Sequence, residues 1–368
     1  MNRKVKSIWL DSFEGREIVI SDIHGDYDGY NLLLKKINYQ PGQDRLILLG
    51  DLVEKGFENL KLLRQIKKQT EEENVYAVMG NCDFVAKNFL YSYRLDFIKE
   101  VLLKRKGSLI HEMIQEAALD PLSDETDMDQ LAYELRKHFL AELSFLNDLP
   151  HVIETPKRIY SHAGLIDEKT YADDFRYVLT YPLFAECEMR FTKMIVVGHM
   201  PVSEYCRFKA DCNPRFFSKS NIFSIDGGNM VKKAGQLNVI IFDGNLVSTD
   251  FIDHLPLARA KVTTHPKNRT SFVISFNRGE VEVVEEGETS SRVYSPYLKR
   301  TFWIDNDFLK GHKGTDFTNY EMPLRQGEAV KVIQSYGSKT QVKKQGIIGW
   351  TLTGNLEFDE LKLNNPQS

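Results

Sequence analysis

Cysteine is scarce in this chain of 368 residues: Cys82, Cys187, Cys206 and Cys212 form no CxxC pair. Four thiols are too few for a disulfide framework at this length. Long apolar runs are missing as well. No stretch approaches the ~20 apolar residues of a membrane helix, and residues 1–10 carry basic side chains without the apolar core of a signal peptide. The expectation is a cytoplasmic protein with no membrane association. Nor does one charge dominate, since 48 Lys and Arg stand against 52 Asp and Glu for a formal net charge of −4. Nothing in that balance signals nucleic-acid binding through bulk charge. What remains is a globular composition, 42% hydrophobic and 27% charged, with room for roughly two domains.

Five apolar runs organise the first two thirds of the chain. Residues 18–20 lead into Asp22-Ile23-His24-Gly25, residues 45–49 into Gly50-Asp51, and residues 75–79 into Gly80-Asn81. Residues 159–161 lead into His162-Ala163-Gly164, and residues 194–197 into Gly198-His199. Each run reads as a buried strand, and in open α/β sheets ligands gather beyond the carboxyl ends of such strands. The six donors delivered there are Asp22, His24, Asp51, Asn81, His162 and His199. Mixed carboxylate, carboxamide and imidazole groups suit Mn²⁺, with Fe or Zn²⁺ as alternatives, better than Ca²⁺. Two such cations roughly 3.5–4 Å apart would clamp the attacking and leaving oxygens of a phosphoryl displacement. The glycines let the backbone turn sharply at these corners.

Helical spacing recurs at 30–37 and 57–68, which gives a strand and helix alternation of layered α/β type. Residues 84–148 then change to long amphipathic stretches at 95–105, 111–119 and 128–146, a helical insertion placed to cap the site. His111 and His138 lie in it as polar positions on helix faces. Strands resume at 152–153, and 222–228 with 239–242 reads as a closing hairpin around the Asp226-Gly227-Gly228 turn. The catalytic domain is therefore expected over 1–252. Residues 254–267 read as a linker within a β-rich connecting region over 253–320, and 321–368 as a small β-barrel.

With these residues laid out, the stretch from 17 to about 245 resembles the calcineurin-like metallophosphoesterases, in the branch that holds phosphoprotein phosphatases and diadenosine tetraphosphatases. The likeness rests on Ser21-Asp22-Ile23-His24-Gly25, Gly50-Asp51-Leu52-Val53-Glu54-Lys55-Gly56, Gly80-Asn81-Cys82-Asp83, Ser161-His162-Ala163-Gly164-Leu165 and Gly198-His199-Met200-Pro201. It implies a two-sheet αββα sandwich with a helical insertion, followed by a small all-β module. It also implies Asp22, His24 and Asp51 on one metal, and Asp51, Asn81, His162 and His199 on the other. Hydroxide held between the metals would then attack phosphorus directly, with no phosphoenzyme. Residues 324–358 resemble bacterial SH3-like domains through Gly327-Glu328, Val330-Lys331-Val332 and Gly349-Trp350, which implies a protein-docking role.

The chain departs from the branch in one acid pair. Glu54-Lys55 stands where the branch has Asp-Arg, and Cys82 stands where it has the histidine that protonates the leaving oxygen. Lys55 keeps a positive charge for phosphate without the planar fork of arginine, and a thiol is a weak hydrogen-bond donor. The catalytic set expected is Asp51, Asn81, Cys82, Glu54 and Lys55. Three activities follow in order: a protein phosphatase of serine/threonine type or dual specificity; a nucleotide or diadenosine polyphosphate hydrolase; and a weakly active phosphate-binding regulatory protein. A leaving group that needs little protonation, such as a nucleotide phosphate or phosphotyrosine, best tolerates Cys82.

Overall fold

The computed structural model describes residues 3–105, 107–266 and 270–358. The chain separates into two compact units, one running to Pro201 and resuming over Asn213–Asp253, the other made of Val202–Cys212 and the chain from His254 onward. In the first unit the order is β1 (Ser7–Trp9), β2 (Glu17–Ile20), α1 (Tyr27–Lys36), β3 (Arg45–Leu48), α2 (Asn59–Glu72) and β4 (Val75–Ala77). Four helices follow, α3 (Val85–Leu90), α4 (Leu95–Leu103), α5 (Leu109–Glu116) and α6 (Met128–Asp148). The unit continues with β5 (Val152–Glu154), β6 (Arg158–Ser161), α7 (Phe175–Thr180) and β7 (Met194–Val197). A short strand, β8 (Ala210–Asp211), belongs to the second unit. The first unit closes with β9 (Arg215–Phe217), β10 (Ile222–Ser224), β11 (Leu237–Asp243) and β12 (Leu246–Ile252).

Two sheets result, ordered β1-β5-β6-β7-β10-β9 and β12-β11-β2-β3-β4. Strands β2 and β3 are buried along their whole length: their apolar residues are covered on both faces, and the charged residues that open them, Glu17 and Arg45, pair with each other at 3.3 Å. Their period-two alternation sends Ile18, Ile20, Leu46 and Leu48 into one core with the helices. Val19 and Ile47 point the other way, into a second core with Ile153, Tyr160 and Val196 of the opposite sheet. Each such aliphatic side chain stabilises the sandwich by about 1.5–3 kcal/mol. The helical core is continuous, taking in Phe89, Leu102, Met113 and Leu135 of the insertion beside the sheet residues. This is the mixed α/β architecture that the sequence implies.

One local expectation is corrected. Strands β10 and β11 do not form a hairpin: β10 pairs with β7 and β9, whereas β11 pairs with β2 and β12. The Asp226-Gly227-Gly228 turn carries the chain from one sheet to the other. The hairpin partner of β11 is β12, joined at Asp243-Gly244-Asn245 with Gly244 at φ 59°, a dipeptide signal of the two-residue turn.

The second unit is all β beyond short 3₁₀ turns among the described residues. Its strands are β13 (Leu257–Ala260), β14 (Val273–Ile274), β15 (Glu282–Glu285), β16 (Ser290–Ser295), β17 (Arg300–Asp305) and β18 (Leu309–Lys310). Then come β19 (Lys313–Gly314), β20 (Phe317–Thr318), β21 (Ala329–Tyr336), β22 (Lys339–Lys344), β23 (Ile347–Leu352) and β24 (Leu356–Phe358). Residues 257–260, expected within a linker, form β13 between β21 and β24 in a six-stranded sheet, β24-β13-β21-β22-β23-β8. Burial of Ala258 and Ala260 beside Val330 and Leu356 explains why an alternating tetrapeptide there is ordered. The strands of the expected barrel thus share their sheet with β13 and β8, both contributed by chain outside 321–368. Residues 267–269 and 359–368 lie outside the described residues.

Candidate metal centre

The five strand ends converge. Asp22, His24, Asp51 and His199 hold left-handed backbone at φ 54°, 55°, 48° and 64°, a conformation that costs a residue with a side chain about 1–3 kcal/mol. Hydrogen bonds between the corners sustain it: Asp22 N–H donates to Gly50 C=O at 3.2 Å, His24 N–H to Asp51 C=O at 2.9 Å, and Gly198 N–H to His162 C=O at 2.8 Å. Glycine is required where these corners touch. A Cβ on Gly198 would lie 1.8 Å from Ser21 Oγ, and one on Gly80 would lie 2.0 Å from Asp51 N.

Asp51 sits at the middle of the cluster, with one oxygen facing each way. Its Oδ2 is 3.7 Å from His24 Nε2, and its Oδ1 is 3.4 Å from His162 Nε2. His24 Nε2 is also 4.0 Å from Asp22 Oδ1. On the other side His162 Nε2 is 3.0 Å from Asn81 Oδ1, and the His162 and His199 rings lie 5.0 Å apart. Asp22 accepts from the His199 amide at 3.0 Å and from the Ser21 hydroxyl. All six sequence-predicted donors therefore surround one small volume. Asp22, His24, Asp51 and His162 are buried, while Asn81 and His199 are half-buried.

These contacts fit divalent cations. His162 Nδ1 lies 2.8 Å from the Leu49 carbonyl and donates to it, which is the orientation of a ligating imidazole, with Nε2 turned toward Asn81 Oδ1 and Asp51 Oδ1. Imidazole nitrogen, carboxamide oxygen and carboxylate oxygen grouped this closely are a donor set that a divalent cation takes. Burial pushes the imidazoles of His24 and His199 down to about 4, which keeps both neutral and able to ligate at physiological pH. Asp22 is pushed well up, first by burial and then by the carboxylates of Asp226 and Asp51. A buried cluster of carboxylates stays ionised when positive charge is placed among them. Burial would raise Asp51 too, but His162, His24 and the Cys82 amide outweigh it and hold its pKa low.

The acid pair is arranged otherwise than the resemblance implies. Glu54, 1% exposed, does not orient Cys82. Its carboxylate is bound by the Arg105 guanidinium and by the Leu109 amide at 3.2 Å. The half-buried Cys82 thiol lies 3.5 Å from Asn81 Nδ2 and faces Asp51, and burial with that carboxylate pushes its ionisation well up. Lys55 is exposed, at φ 75°, and its charge acts on His24 and Cys82.

Three contributors were not singled out from the sequence. Asp83 ties the second corner to the third, accepting from the amides of Leu52 (2.9 Å), Val53 (3.2 Å) and Gly80 (2.8 Å). Asp226, read as an acid in a structural turn, is buried and acts on Asp22. Arg105, just past the end of α4, had no motif to mark it. Of the histidines in the insertion, His111 bonds Ser108 Oγ at 2.8 Å and His138 faces Glu134 at 3.8 Å. Neither lines the cavity beside Asn81 and Cys82.

The geometry now has a family. A model of the calcineurin-like phosphoesterases matches residues 16–242, more than half of the chain. The chain belongs to that family and is a metallophosphoesterase, a hydrolase. Among curated relatives, the symmetrical bis(5′-nucleosyl)-tetraphosphatase of Actinobacillus pleuropneumoniae serotype 3 is 45% identical over 65 residues, 18% of this chain and 23% of that one. The enzyme of the same name from Enterobacter sp. (strain 638) is 30% identical over 177 residues, 46% of this chain and 53% of that one. The chain thus spans about half the length of that relative. Among solved structures, a putative diadenosine tetraphosphatase aligns over 68% of this chain and 99% of its own, at 19% identity and a TM-score of 0.42. A protein serine/threonine phosphatase from Saccharomyces cerevisiae aligns over 73% of this chain and 87% of its own, at 12% identity and a TM-score of 0.43.

Proposed function

We propose that this chain hydrolyses the phosphoanhydride of a nucleotide, with a bis(5′-nucleosyl) polyphosphate as the first candidate. The observation that carries this reading is the dismantled acid pair. Glu54 is committed to Arg105, Asp83 is committed to three backbone amides, and Cys82 offers only a thiol. A leaving oxygen of high basicity, such as the alkoxide of serine, needs a proton in the transition state. The phosphate leaving group of an anhydride departs without one. Phosphotyrosine shares that property through its aryl oxide and stands as the second reading; the serine/threonine-type activity is placed behind both.

Asp22, His24 and Asp51 would hold one divalent cation, and Asp51, Asn81, His162 and His199 the other. Mn²⁺ is the first expectation from the mixed donors, with Fe or Zn²⁺ next. When bound, the cations supply Lewis-acid polarisation of the phosphoryl group and activation of water. The protein side does the rest: Asp51 presents one oxygen to each half of the site, His162 Nδ1–H donates to the Leu49 carbonyl, and Lys55 adds positive charge at the rim. The test is product analysis with the Mn²⁺-loaded chain on diadenosine tetraphosphate beside phosphoserine and phosphotyrosine peptides. Mononucleotide products are expected. Phosphate release from phosphoserine peptides at a higher kcat/KM than dinucleotide cleavage would overturn the reading.

A further inference from the structure

A cavity of about 640 Å³ opens beside Asn81 and Cys82, lined by the helical insertion and α7, in the size range of small-molecule sites. Aromatic rings form much of its wall. Phe84 stacks on Phe175 at 6.1 Å between ring centres and meets the edge of Tyr93 at 6.4 Å. Tyr93 and Phe97 line it and remain 42% and 50% exposed, so each keeps part of its ring free of protein contact. The second feature of the wall is cationic. Arg94 lies over the Phe97 ring at 4.5 Å, and no carboxylate pairs with it among the described residues. Arg105 reaches the cavity from its pairing with buried Glu54, and the charge of Asp51 acts on it.

We infer that this cavity is the subsite for the nucleoside end of the substrate. The base stacks on Phe97 and Tyr93, with Arg94 and Arg105 meeting the phosphate chain as it runs toward Asn81. Flat rings give affinity without reading the identity of the base, because every base has a π face. Guanidinium groups suit the phosphates. An alkyl phosphate on a peptide would use the cations but leave the rings bare. The inference rests on the nucleotide reading given above, and it names the part of the site that recognises the substrate before any bond is broken.

The experiment is ADP binding by the full chain in EDTA, followed calorimetrically, with adenosine and pyrophosphate as separate probes. Expected is ADP binding tighter than either part. Phe97→Ala and Arg94→Ala are each expected to weaken ADP about tenfold while thermal melting is unchanged, and Phe216→Ala on β9 is expected to bind as wild type. Unaltered ADP affinity in both variants, or no ADP binding by wild type, overturns the subsite. If the Mn²⁺-loaded chain still yields mononucleotides in that event, the nucleotide reading survives and only the subsite falls. Cleavage of phosphotyrosine peptides without ADP binding or nucleotide turnover removes both.

Discussion

At the scale of single residues, the weight falls on Asp51 and Cys82. Asp51 turns one oxygen toward His24 and the other toward His162, so Asp51→Asn removes the charge shared by both halves of the site with little change of shape. Metal content by elemental analysis is expected to fall, and kcat to drop by roughly 10³-fold, as when a central electrostatic contact is lost. Full activity in that variant would end the two-metal assignment. Cys82→His places an imidazole where the family resemblance puts the proton donor to the leaving oxygen. If protonation of the leaving group limits alkyl phosphates, their turnover rises by about tenfold or more, whereas dinucleotide cleavage changes little. Equal effects on both substrates would mean that another group is the acid. The six candidate donors could be picked out in the sequence because each stands at the end of an apolar run, three of them directly after Gly50, Gly80 and Gly198. Asp83 and Arg105 could not, because their roles depend on which loops and helices the fold brings to them.

At the scale of elements, the insertion is fastened to the catalytic loops through carboxylates that cross between helices. Helix α2 has no side-chain cap of its own at Glu58. Glu112 of α5 serves instead, accepting from the amides of Asn59 (2.8 Å) and Leu60 (2.7 Å) and from Asn59 Nδ2 at 2.7 Å. Asn59 in turn accepts from the Glu54 amide at 2.6 Å. Glu112→Ala therefore uncaps one helix and loosens the loop that holds Glu54. The expected loss is about 2 kcal/mol, read as a lower urea midpoint, together with a raised KM. A variant of unchanged stability would mean that water replaces the cap without loss. Spacing revealed the helices of the insertion. It could not reveal that a glutamate of one helix caps another, since a cap is looked for next to its helix in the chain.

At the scale of the whole chain, pH reports on how the first unit closes. His151 is buried, accepts the Lys6 amide at Nδ1 (2.9 Å) and stacks on Phe175 at 4.6 Å. Burial, with the charges of Lys87 and Lys6, pushes it down to about 4. The unfolded chain takes up that proton near pH 6.5, so between about 6.5 and 4 the unfolded state binds more protons and stability falls as pH falls. The contribution is up to about 3 kcal/mol, complete above pH 6.5. In the metal-free protein His24 and His199 give the same sign, so the comparison is with His151→Asn, which retains an acceptor for Lys6. Its urea midpoint is expected to change less between pH 7 and pH 5 than that of the wild type. Identical slopes would show that His151 does not titrate with folding. Sequence pattern gave the sheet-forming runs at this scale but not their partners: β10 and β11 read as neighbours because they are close in the chain, and the period-two pattern does not say which sheet a strand joins.

The continuous core that joins α3, α4, α5 and α6 to β2 and β3 has a kinetic meaning. A lid must come away cheaply, and this insertion cannot, because lifting it would bare Phe89, Leu102, Met113 and Leu135 together with the sheet residues they cover. The amides of its core-facing turns are expected to exchange with those of β2 and β3 rather than through a separate local opening, which hydrogen exchange of the full chain would read. Substrate selection would then be made by a standing wall, with entry and exit of ligand paced by diffusion through the mouth instead of by a hinge.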